Sequence, residues 1–153
     1  MDAQVDQVLL RVRPALLPAG DWAGTLRLLA GEAAEAMGEG VDAARVYADA
    51  YERELADTTY IGMGVAVPHA RVEGLSRAGL YAALSRPGIA WPHESAHLVA
   101  LLVAPWEAPE MHLQLLSRLV RWRRKVTEPE MAEWAEAPKR LAESLTAAFA
   151  DLL

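Results

Sequence analysis

Four histidines, His69, His93, His97 and His112, are the side chains of this sequence best suited to nucleophilic or proton-transfer chemistry near neutral pH. His69 follows the run Val65-Ala66-Val67-Pro68. Proline fixes its own φ and drives Val67 towards extended geometry, so the backbone that presents His69 is stiff. A residue just past the carboxyl end of a strand lies where α/β sheets place their sites. A turn histidine packed on a neighbour would have the same local sequence, so spacing alone leaves both readings open. The stretch His93-Glu94-Ser95-Ala96-His97 spells H-E-x-x-H, which on a helix would set two metal ligands one turn apart beside a glutamate base. Pro92 precedes it and Gly88 lies upstream, so a helix could begin only at the motif itself. Nothing in the spacing singles out Glu107 or Glu110 as a third ligand. The expectation is no metal and no other cofactor, with His97 an ordinary strand-edge residue. The sequence has no cysteine, which removes thiolate catalysis, disulfides and cysteine-bound zinc.

The elements that must position these histidines alternate along the chain. After a short amino-terminal segment, Pro18-Ala19-Gly20 breaks the chain and Asp21 caps a helix carrying Trp22, Leu26, Leu29, Ala33 and Met37 at helical spacing. Gly38 and Gly40 end it, and Asp42 caps a second, with Val46, Tyr47, Ala50, Tyr51 and Leu55 inward. Strands are expected at Val65 to Val67, Leu80 to Leu84 and Leu98 to Val103. The last is rich enough in leucine and alanine to suit a helix as well. Three helices are expected to finish the chain. One starts near Pro109 with Leu113, Leu116, Leu119 and Val120 inward, and one opens with Thr127 and Glu130 at capping-box spacing. The third starts near Pro138 and aligns Leu141, Leu145, Ala148, Phe149 and Leu152. Helices alternating with short apolar strands predict an α/β layer fold, a β-sheet with helices on both faces.

Length and composition limit what such a fold could serve. The 153 residues suit a single domain, residues 1–153, and with 53% hydrophobic and 24% charged residues disorder is not expected. The longest apolar run, Leu98 to Ala104, is too short to cross a bilayer as a helix. Asp2 and Asp6 ahead of any apolar stretch do not resemble a secretory signal, so a soluble cytoplasmic protein is the expectation. A net charge of -6 argues against nucleic acid as a partner and leaves room for a basic protein.

One segment carries more than local chemistry. Arg53-Glu54, Thr58-Thr59 and the run Ile61-Gly62-Met63-Gly64-Val65-Ala66-Val67-Pro68-His69-Ala70-Arg71, with Glu54 as the leading residue, together resemble the active-site signature of type 2 enzyme IIA domains of the bacterial sugar phosphotransferase system, which include fructose, mannitol and nitrogen-regulatory members. Gly88-Ile89-Ala90-Trp91 is similar to that family's loop before a central strand, Leu98 to Pro105 to the strand, and His112 to Ser117 to a helix start bearing a second histidine. Three features depart from the family pattern: Met63 on the site rim, Pro138-Lys139-Arg140 where acids are usual, and a Pro92 to Ala96 stretch without an acidic-glycine turn.

The resemblance implies a mixed sheet flanked by helices and a phosphoryl group carried on Nε2 of His69. The donor would be the phosphocarrier HPr or a nitrogen-branch (NPr-type) paralogue. The acceptor would be a IIB component, with the membrane reached only indirectly through IIC. The alternative is a regulatory module whose phosphorylation state controls a target protein. Arg53 and His112 match positions near the phosphohistidine, with Arg71 and Glu54 as supporting residues. A guanidinium fork suits two phosphoryl oxygens, although Arg53 could instead pair with Glu54 or another surface carboxylate.

Overall fold

The computed structural model describes residues 2–5, 8–38 and 40–150. Its centre is an antiparallel pair of long strands, β7 (Ala78–Trp91) and β8 (Glu94–Pro105). Shorter strands dock in pieces along the outer edges of this pair. On the β7 side lie β2 (Val8–Val12) and β3 (Gly20–Asp21), both parallel to it, with β1 (Asp2–Val5) beyond β2. On the β8 side lie β5 (Val65–Ala66) and β6 (His69–Val72), also parallel, with β4 (Tyr60–Gly62) beyond β5. The eight-stranded mixed sheet thus runs β1-β2-β7-β8-β5-β4, with β3 and β6 continuing its two flanks.

Helices cover both faces. On one face, α1 (Trp22–Met37) and α2 (Ala43–Ala56) pack over Tyr81, Ala83, Val99, Leu101 and Val103. On the other, α3 (Pro109–Lys125), α4 (Glu128–Glu136) and α5 (Pro138–Phe149) pack over Leu80, Leu84, Leu98 and Leu102. Neighbouring residues of β7 and β8 point to opposite cores and both are buried, so the strands read as continuous apolar runs. Ladder pairing of Leu98 to Val103 with β7 on one side and β5 and β6 on the other resolves its helix-or-strand ambiguity in favour of a strand. The expected α/β class, with helices on both faces, is the observed one.

The expected helix starts hold in detail. The Asp21 carboxylate accepts from Gly24 N at 2.8 Å and Asp42 from Ala44 N at 3.0 Å. Thr127 and Glu130 close a reciprocal capping box, and Pro109 and Pro138 lie in first turns.

Four expectations need correction. The amino-terminal segment is not merely a lead-in: Val8, Leu10 and Val12 alternate inward as a strand whose period-2 signal was legible. Gly88 to Trp91 is not a loop but the second half of β7, reached through a register shift between Leu84 and Ile89. The turn into β8 is made by Pro92-His93, with His93 at φ 73°, in place of the acidic-glycine pair. Leu55 and Leu113, both expected inward, are 64% and 66% exposed. Leu152 lies outside the described residues.

Candidate active site

His69 opens β6, directly beyond the end of β5, with Val67-Pro68 between the two short strands. Pro68 cannot donate to the β8 ladder, but its carbonyl accepts from Leu102 N at 2.9 Å, and His69 stands opposite Leu102. The strand break therefore costs little pairing and turns the imidazole out of the sheet. Its Nδ1 lies 3.0 Å from the Val67 carbonyl oxygen. A carbonyl only accepts, so Nδ1 carries the proton and the Nε2 lone pair is left free.

His69 lines a cleft of about 290 Å³ between the end of α2 and α3, together with Arg53, Thr58, Ile61, Leu116 and Val120. Burial is the largest influence on the His69 pKa and lowers it below 6.5; the Val67 hydrogen bond works the other way, and Arg53 adds to the lowering. The ring is accordingly neutral at pH 7, the form able to act as a nucleophile. His112, in the first turn of α3, meets His69 edge to face with ring centroids 5.0 Å apart. It is 6% exposed, and its Nδ1 is buried without a hydrogen-bond partner in the protein. Burial, then the neighbouring His69, then Arg53 and Arg71 push its pKa down to about 4.

Arg53 is exposed in the last turn of α2, and Glu54, its neighbour in sequence, is not its partner. Glu54 is buried and accepts from Thr59 N at 2.8 Å, from the Thr59 hydroxyl and from Trp91 Nε1 at 3.0 Å. It is a strut joining the end of α2, the Thr58-Thr59 corner and β7. Arg71, two residues along β6 from His69, is largely engaged elsewhere. Its guanidinium donates to the Trp106 carbonyl at 2.7 Å and lies 4.4 Å from that indole ring, while its backbone N–H donates to Asp49 at 2.8 Å. The structure thus brings His69 and Arg53 into one cleft with His112 beside it, and sets Glu54 and Arg71 behind it.

Arg123, near the carboxyl end of α3, was not legible as part of this region. Its Nε donates to the Ile61 carbonyl at 2.9 Å, and its Nη1 lies 3.2 Å from Met63 Sδ. It holds the turn Gly62-Met63-Gly64, where three successive residues have φ of 95°, 50° and 75°. The Tyr60 hydroxyl accepts from Gly64 N at 2.7 Å, and the Gly64 carbonyl accepts from His97 N and Leu98 N. Ile61 of this hairpin forms a wall of the His69 cleft.

The H-E-x-x-H residues have no helix to share. His93 is an exposed turn residue, and Glu94 and His97 lie on β8. His97 Nδ1 is 3.0 Å from the Ser85 carbonyl, and the ring packs against Gly64 and Gly88, where an added Cβ would come within 3.2 and 3.1 Å of it. Glu107 is occupied by Gly74 N. Among the described residues no group of three histidine or acidic side chains is placed to hold a metal ion, and no helix is long and apolar enough to cross a membrane.

Comparison with known proteins bears on the family and the fold. A nitrogen regulatory protein of Bradyrhizobium diazoefficiens is 38% identical over 99 residues, 63% of this chain and 63% of that protein. A fructose-specific EIIA component of Haloferax volcanii is 37% identical over 73 residues, 46% of this chain and 47% of that protein. The chain therefore spans less than two thirds of the length of either relative. The crystal structure of the nitrogen regulatory protein IIA-Ntr from Neisseria meningitidis superposes with a TM-score of 0.63 at 20% identity, covering 78% of this chain and 79% of that one, which shows the shared fold. The profile of the phosphoenolpyruvate-dependent sugar phosphotransferase system EIIA 2 family matches residues 16–146, most of the chain. The chain belongs to that type 2 enzyme IIA family.

Proposed function

We propose that this protein is a phosphohistidine carrier that takes a phosphoryl group from a phosphorylated phosphocarrier onto Nε2 of His69 and passes it to a protein acceptor. The observation that carries this reading is the Val67 carbonyl on His69 Nδ1, which leaves Nε2 as the nucleophile facing a cleft shared with Arg53. In the transfer the donor's N–P bond breaks as the bond from Nε2 to phosphorus forms, and the proton stays on Nδ1, donated in a hydrogen bond to the Val67 carbonyl. Phosphoryl transfer asks chiefly for positioning and for donors around the equatorial oxygens. Arg53 supplies a guanidinium fork with no competing carboxylate partner among the described residues. The unpaired His112 nitrogen supplies a neutral donor or acceptor beside it. Glu54 supports the site by holding the Thr58-Thr59 corner, and Arg71 by its charge.

HPr or an NPr-type paralogue is the proposed donor, and a IIB component the proposed acceptor. The 38% identity to a nitrogen regulatory protein favours a second outcome of the same chemistry, in which the phosphorylation state governs a regulatory target. Incubation with phosphoenolpyruvate, enzyme I and HPr should add one acid-labile phosphoryl group to the wild type and none to a folded His69→Ala variant. Unchanged labelling of that variant would remove His69 from the role. Addition of IIB components, or of the nitrogen-branch carrier, then separates transport from regulation by which one moves the label faster.

A further inference from the structure

A second cavity, of about 380 Å³, lies on the α3–α5 face of the sheet and shares no lining residue with the His69 cleft. One wall is a single face of α4, where Glu128, Met131, Ala132, Ala135 and Glu136 recur at helical spacing. The facing wall is the bend of β7 at Leu84 to Arg86, completed by His97 of β8 and by Met63 of the β4–β5 turn. Trp134, on a different face of α4, is buried and stacks on Trp122 with centroids 5.4 Å apart. That stack fixes the helix independently of the cavity, so the space is preformed. The polar groups that line it are unequally occupied. The His97 ring is wedged between Gly64 and Gly88, and in its neutral form Nδ1 donates to the Ser85 carbonyl at 3.0 Å. Its Nε2 is left as an acceptor with no hydrogen bond among the described residues. Glu128 is exposed and likewise has no hydrogen bond or ion pair among them. Arg86 is already engaged, donating to Glu136 Oε1 at 2.7 Å and to the Ala135 carbonyl at 3.4 Å.

We propose that this cavity is a second binding site, separate from the phosphoryl site, and that it takes a small arylalkylamine. An apolar concavity of this size with a few unspent polar groups is what small-molecule sites are built from. Met63, Met131 and Leu84 offer the body of a ligand adaptable apolar contacts, and thioether sulfur favours an aromatic ring. The head group is chosen by what is left to satisfy. His97 Nε2 and the Glu128 carboxylate both accept, and the one cation in the lining is neutralised by Glu136. An ammonium supplies donors and charge for both acceptors. A carboxylate would instead meet two like charges and a guanidinium with its donors spent, while a purely apolar ligand would leave the His97 nitrogen unpaired. The inference stands apart from the phosphohistidine reading, since none of these residues touches His69. It also gives His97, one of the two histidines of the H-E-x-x-H stretch, a use that requires no metal.

The test is an NMR titration of the full chain with phenethylamine at about pH 8, where an imidazole is neutral and an alkylamine is still charged. Phenethyl alcohol and phenylacetate are the neutral and anionic controls. The His97 Cε1 proton and the Met63 and Met131 methyls should move together and saturate with one dissociation constant. Phenylacetate should bind about tenfold or more weakly, as charge reversal beside partly exposed carboxylates requires. Glu128→Gln should weaken amine binding by about threefold, in the range of an exposed ion pair. Ala135→Phe, which fills the cavity, should abolish it; Ala132→Leu is a smaller filling that serves if phenylalanine disturbs α4. His69→Ala should bind the amine as the wild type does. Equal affinity for the three probes, or no saturable binding of the amine, overturns the proposal. Shifts that persist in both filled variants, or that vanish in His69→Ala, place the amine elsewhere and overturn it too.

Discussion

At the scale of single residues, the site is set by which nitrogen holds a proton. Val67 O fixes the His69 tautomer, and burial keeps the ring neutral. Activity should therefore stay level through neutral pH and fall only below the ordinary histidine range, which a pH series of phosphoramidate labelling would check. Arg53 should matter more than its exposure suggests, because a positioned donor lost from such a site typically costs about 10²–10³ in rate. Arg53→Lys should recover only part of this, since an ammonium lacks the two-point fork. Transfer at the wild-type rate by Arg53→Ala would make it a surface residue. His112 has a cost as well as a use. Its folded pKa of about 4 lies below the unfolded 6.5, so the unfolded chain binds a proton first as pH falls. The resulting stability is full above about pH 6.5 and is lost between there and pH 4. His112→Gln should flatten the pH dependence of the urea midpoint across that window; an unaltered slope would show that His112 is not held neutral by burial.

At the scale of elements, the β4–β5 hairpin sets one wall of the cleft. Its turn is held open in left-handed geometry by a helix 60 residues away in sequence. A Cβ on Gly62 would sit 2.6 Å from Arg123 Nη2, and its φ of 95° is strained for any other residue. Gly62→Ala should lose roughly 1–3 kcal/mol from backbone strain and also slow labelling, because the displaced arginine releases the Ile61 carbonyl. Gly38, at φ 60° with open space around it, is the control. Gly38→Ala should cost stability without changing the labelling rate. Equal labelling rates in the two variants would show that the hairpin does not position the site.

At the scale of the whole molecule, one sheet separates two cores that must form together. Leu101 and Leu102 are neighbours on β8, fully buried, on opposite faces. Each truncation to alanine should cost about 2–5 kcal/mol. Leu102 lies opposite His69 in the ladder and faces the α3 core, whereas Leu101 faces α1 and α2. Leu102→Ala should therefore also reduce the labelling rate of the folded protein, while Leu101→Ala leaves it close to wild type. Denaturant titration beside labelling kinetics distinguishes the two. The same rate loss in both would mean that the sheet transmits the damage without regard to face.

What was legible in the sequence alone was whatever neighbouring residues settle among themselves. The Asp21 and Asp42 caps, the Thr127–Glu130 box and the helix starts at Pro109 and Pro138 are local bonds or local φ constraints, and each is present. The Pro68-His69 pair also declared itself, because proline stiffens the backbone on both sides. The continuation of β7 beyond Pro87-Gly88 was not legible, since Ile89 to Trp91 become strand by pairing with β8 and β3. Nor was the outward turn of Leu113 and Leu55, whose apolar side chains match helical periodicity and yet find no neighbour to bury them. The largest tertiary decisions concern charge. Glu54 and Arg53 are adjacent in sequence, and a helix presents adjacent residues about 100° apart. One is therefore buried against Thr59 and Trp91 while the other is free beside His69. Arg71 and Arg123 look alike as basic residues, but a tryptophan ring claims the first and a strained turn the second. The family resemblance singled out His69 as the candidate; only packing between elements far apart in the chain decided which charges surround it.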